Sequence, residues 1–96
     1  MRIIYETKDE IMTEILAVFR SRSQAIDCMT KMRALNIPAQ LINTPKEANV
    51  GCGLSLKFPQ NAASRAKNLI SRVNYSSFYG YMRIDVRGGK IFIKGF

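Results

Sequence analysis

The sequence contains no histidine. That absence removes the commonest general base and a common metal ligand, and it excludes Ser-His-Asp and Cys-His hydrolase arrangements. Cysteine is scarce. Cys28 and Cys52 are the only two, too few for a disulfide scaffold and, without histidine, a poor zinc set. No metal and no cofactor is expected. Acidic residues number seven against fifteen basic ones, and Asp27, Glu47 and Asp85 stand apart, with no visible carboxylate pair for acid–base work. No apolar run approaches the roughly 18 residues of a membrane span. The first residues, Met1 to Glu10, are mixed in charge and lack the apolar centre of a secretory signal. The cytosol is therefore the expected compartment, where both cysteines are thiols. A Cys28–Cys52 disulfide is the alternative.

What is present fits one small domain. The 96 residues are 47% hydrophobic and 23% charged, an ordinary globular balance with room for a single core. The net charge of +8 is uneven: residues 1–59 carry eight basic and six acidic side chains, residues 60–96 seven basic ones and Asp85 alone. The C-terminal part has the charge to attract nucleic acid, an acidic protein surface or phosphate, or simply to serve as a solvated surface.

Patterning divides the chain into an N-terminal arm or extra element (1–13) and a single domain (14–96). Glu14 to Phe19 is a short, branched apolar run that suits a buried strand. Ser21 or Ser23 can cap the helix that follows. Ala25, Cys28, Met29, Met32 and Leu35 recur at helical spacing and form one apolar face, which makes Cys28 a core residue. Asn36-Ile37-Pro38 ends that helix. Ala39 to Asn43 reads as a second strand, Thr44 to Gly51 as a loop, and Cys52 to Phe58 as an alternating third strand stopped by Pro59. Asn61 can cap a second helix with Ala62, Ala66, Leu69, Ile70 and Val73 on its apolar face. Tyr79 to Val86 and Ile91 to Phe96 read as strands joined by a Gly88-Gly89 turn, so that Val86 faces Ile91 and Ile84 faces Ile93. This order predicts an α+β, ferredoxin-like β-α-β-β-α-β sandwich with an added C-terminal β-hairpin over 79–96.

Chemistry centres on Gly51-Cys52-Gly53. Flanking glycines open the backbone around a thiol and let a partner approach. Amides in such a turn, together with Lys46 and Lys57, would favour the thiolate, the nucleophile of sulfur exchange. The competing reading is structural: a strand running straight back through Gly53 would give Cys52 the parity of Leu54 and Leu56 and turn it into the core.

From Ile15 to about Arg72 the chain resembles the selenium/sulfur (Se/S) carrier protein-like family of small bacterial domains. The resemblance rests on an opening strand Ile15-Leu16-Ala17-Val18-Phe19, on Leu35-Asn36-Ile37-Pro38-Ala39 at the family's Gly-Ile-Pro step, on a Thr44-Pro45-Lys46-Glu47 loop, and on Cys52-Gly53-Leu54-Ser55-Leu56-Lys57-Phe58. It departs at Val50-Gly51, where the family tends to have small hydroxyl residues, and in the basic hairpin beyond. The resemblance implies that Cys52 holds sulfur or selenium as a persulfide or selenosulfide between a donor and an acceptor protein, as a stoichiometric carrier and not an enzyme, with Gly53 exposing it.

A second reading uses Phe78 to Ile84, which looks like part of an RNP1 signature. Tyr79, Tyr81 and Arg83 alternate and so would share a sheet face. With Arg65 and Arg72 of the second helix and Lys94 they would form a non-catalytic surface for nucleic acid or an acidic protein. Exposed sheet edges would offer a route to a homo-oligomer.

Overall fold

The computed structural model describes residues 12–48, 53–87 and 90–95. The element order is β1 (Met12–Phe19), α1 (Arg22–Ala34), β2 (Gln40–Asn43), β3 (Leu54–Pro59), α2 (Ala63–Val73), β4 (Phe78–Arg87) and β5 (Lys90–Gly95), with short 3-10 turns at Lys46–Ala48 and Gln60–Ala62. The fold class is α+β, as the patterning predicts. All five strands lie in one sheet of order β2-β3-β1-β4-β5, and every neighbouring pair is antiparallel.

Strand alternation divides the buried residues between two faces. Ile15, Ala17 and Phe19 of β1 and Leu54, Leu56 and Phe58 of β3 join Ala25, Cys28 and Met32 of α1 and Ala66, Leu69 and Ile70 of α2 in the main core. Both helices therefore pack on one side of the sheet. The opposite residues of β1, Leu16 and Val18, form a smaller cluster with Met82, Ile84 and Ala48. Because both faces of β1 are covered, its apolar run is continuous and not alternating.

Helix boundaries follow local chemistry. Ser21 caps α1, its hydroxyl accepting from the Gln24 amide at 3.2 Å. The far end closes differently from expectation. Asn36 adopts φ 60°, a left-handed conformation open to glycine and asparagine, and the Ile37 amide folds back to donate to the Met32 carbonyl at 2.9 Å. Ile37 is then buried in the core, while Leu35, expected on the apolar face, is 47% exposed. At α2 the expected Asn61 cap is absent: Asn61 lies inside the 3-10 turn, and Ala62 precedes the helix without a side-chain bond. Val73, in the last position of α2, is likewise exposed.

The C-terminal hairpin has the expected register, with Val86 opposite Ile91 and Ile84 opposite Ile93. Its Gly88-Gly89 turn lies outside the described residues, as do the N-terminal residues 1–11.

Candidate functional site

Cys52 and Gly51 lie outside the described residues; the base of their loop does not. The loop leaves β2 at Thr44 and rejoins the sheet at Gly53. At this neck the Thr44 amide donates to the Gly53 carbonyl at 3.3 Å, and the hydroxyls of Thr44 and Ser55 lie 2.9 Å apart. Ser55 is fully buried. It sits opposite Val18 and Ile42 on the helix-free side of the sheet, and Thr44 is the partner that satisfies its hydroxyl there. A methyl group built on Gly53 would come within 2.7 Å of the Phe19 carbonyl oxygen. Glycine beside Cys52 is thus demanded by the close approach of two backbones, a reason separate from exposing the thiol.

From Thr44 as far as Ala48 the loop runs across the sheet. The Lys46–Ala48 turn approaches β5, at the edge opposite β2, and Ala48 is buried among the helix-free cluster. The loop that carries Cys52 is therefore anchored on the face away from both helices. Gly53 stands outside β3, which begins at Leu54. Gly53 nevertheless faces Thr44 in continuation of the β2–β3 register, and the inward reading of Cys52 lies outside the described residues.

The two cations expected to favour a thiolate occupy different places. Lys46 is exposed on the 3-10 turn. Lys57 pairs with Glu14 at 3.6 Å, four residues along β3 from Gly53, roughly 13 Å at 3.3 Å per residue.

Cys28 is a free thiol and fully buried. Burial pushes its pKa up to about 11, and the neighbouring Asp27 carboxylate acts in the same direction against a hydrogen bond from Tyr75. It is the core residue that its helical spacing predicts, and a poor nucleophile.

The residues of the second reading are dispersed. Tyr81 lies opposite Ala17, and Arg83 opposite Ile15, so both belong to the side of the sheet that the helices cover. Tyr81 packs at the edge of the main core, 4.9 Å from the Phe78 ring, with the Lys67 ammonium 4.9 Å from its own ring centroid. Burial raises its pKa to about 12. Arg83 pairs with Asp85 at 3.0 Å, and Lys94 is its cross-strand partner. Tyr79 falls at a register shift between β1 and β4, is half exposed, and has the Arg20 guanidinium 5.0 Å from its ring centroid. Arg65 and Arg72 line a groove beside Leu35 and Ile37. An RNP1 surface needs its aromatics on an open sheet face; Tyr81 does not have one.

A family model described as "Putative Se/S carrier protein-like" matches residues 14–79. The chain belongs to this family. The match begins within β1, includes the whole Thr44–Phe58 segment and ends at the second residue of β4. No curated protein and no solved structure matches the chain. Among the described residues no cluster of histidine, cysteine, aspartate or glutamate is arranged to hold a metal, and no helix is long and apolar enough to cross a membrane.

The residues missed by sequence reading are Thr44 and Ser55 as a bonded pair. Their separation of eleven positions carries no periodic signal, and only the loop neck brings them together.

Proposed function

We propose that this protein is a stoichiometric carrier of sulfur or selenium, with Cys52 as the residue that holds the chalcogen. The observation that carries the reading is the family match across Cys52. Elimination supports it: of the two cysteines, Cys28 is sealed in the core and kept protonated.

In the proposed step the Cys52 thiolate attacks the terminal sulfur of a donor persulfide. A new S–S bond forms at Cys52 as the donor's S–S bond breaks, and the donor departs as its thiolate. In the second step an acceptor nucleophile takes the outer sulfur and Cys52 leaves as thiolate. The exchange is redox-neutral, one S–S bond broken for one formed, and needs no external oxidant. A selenosulfide follows the same scheme with selenium as the outer atom. Donor and acceptor are proteins, and the carrier is not itself an enzyme.

Intact-mass spectrometry after exposure to a small-molecule persulfide tests the reading. A single added sulfur on wild type and on Cys28→Ala, absent from Cys52→Ala, is the expected result. An adduct that survives in Cys52→Ala, or no adduct on any of the three, refutes it.

A further inference from the structure

On the helix side, α2 and the end of α1 enclose a groove of about 340 Å³ lined by Leu35, Ile37, Ser64, Arg65, Asn68 and Arg72. Arg65, Asn68 and Arg72 share one stripe of α2 at steps of three and four residues. The Cα atoms of Arg65 and Arg72 lie about 10 Å apart along the axis at 1.5 Å per residue. Arg65 donates through Nη2 to the Leu35 carbonyl at 2.6 Å, which orients its remaining donors and holds it at the mouth of the groove. Leu35 adds an exposed apolar side chain between the helices.

This positive charge has no acidic counterpart in the lining. The acidic side chains described elsewhere are held by other groups: Asp27 by Lys31 and Tyr75, Glu14 by Lys57, and Asp85 by Thr13 and Arg83. We propose that the groove docks an acidic segment of a partner protein, two carboxylates bracketing an apolar side chain, with the guanidiniums of Arg65 and Arg72 as the carboxylate forks and Leu35 as the apolar contact. Planar guanidinium donors match carboxylates in a bidentate manner. No aromatic ring lines the groove, so it offers no stacking platform of the kind single-stranded nucleic acid uses. The proposal is independent of what Cys52 carries.

The full chain is titrated with a short helical peptide bearing two glutamates one heptad apart around a leucine, with its glutamine counterpart, and with oligouridylate. The glutamate peptide is expected to bind, shifting the amide resonances of Ser64 and Asn68, and the glutamine peptide to bind far more weakly. Arg72→Glu should weaken the complex about tenfold and Arg72→Gln less, with helix content unchanged by circular dichroism. Arg22→Glu, an exposed cation at the start of α1, should leave affinity unchanged. Equal binding of the two peptides, equal weakening by Arg22→Glu, no binding of the glutamate peptide, or displacement of that peptide by oligouridylate overturns the proposal.

Discussion

The hydroxyls of Thr44, the first residue after β2, and Ser55, the second residue of β3, meet at 2.9 Å on the helix-free side of the sheet. One of the two is fully buried and the other only partly. That asymmetry decides how the pair responds to substitution.

Thr44→Val strands the Ser55 hydroxyl without water or partner, and should destabilise the protein by about 1–3 kcal/mol. Ser55→Ala leaves Thr44 able to reach solvent and should cost less, about 1 kcal/mol. The double variant should be more stable than the sum of the two losses implies. Urea-denaturation midpoints measure all three. Additive losses would show that the hydroxyls act independently.

Gly53→Ala places a methyl group against the Phe19 carbonyl, a rigid neighbour in the middle of the sheet. The backbone of one strand must move. We expect a loss of about 1–3 kcal/mol, read as a lower melting temperature. An unchanged melting temperature would mean that the neck has slack.

Stability should fall as the solution becomes alkaline. Burial holds the Cys28 thiol protonated up to about 11 in the folded chain, against an ordinary value of 9.0. Between those values the unfolded chain binds fewer protons than the folded one, so the stabilisation is complete below about pH 9 and is lost by about pH 11. Tyr81, raised from 10.0 to about 12, extends the decline in the same direction. Cys28→Ala should flatten the first part of the curve, measured as the urea midpoint from about pH 8 to about pH 11. An identical slope in the variant would place the titrating group elsewhere.

Elements whose partners are local in sequence were legible in it. The steps Ala25-Cys28-Met32 report one helix face because a helix repeats every 3.6 residues, and all three are buried. The Val86–Ile91 pairing follows from a two-residue turn that leaves a single register. Failures cluster where an element ends. Leu35 and Val73 continue the apolar spacing, but each lies where its helix gives way to another conformation, and each is exposed. Tyr81 and Arg83 share a face as their alternation predicts, while the register shift at Tyr79 takes that residue out of the pattern. Which side of the sheet they occupy was set by where the helices settle, and alternation has no means of stating that. Of the candidate site, the Cys-Gly sequence was plain. The backbone approach that demands Gly53 was not, since Phe19 is thirty-four residues away.

The pairing of β1 separates two kinds of boundary. The matched family segment stops at residue 79, yet β1 is flanked on one side by β3 and along the other by β4, from Met12 opposite Val86 to Phe19 opposite Phe78. A chain cut where the recognisable sequence ends would leave the central strand with a bare row of amides and carbonyls, and would uncover Leu16 and Val18 as Met82 and Ile84 departed. The matched segment is thus shorter than the five-stranded sheet that the described residues build. The hairpin, nearly all of it beyond the matched segment, completes the sheet on which the covering of β1 depends.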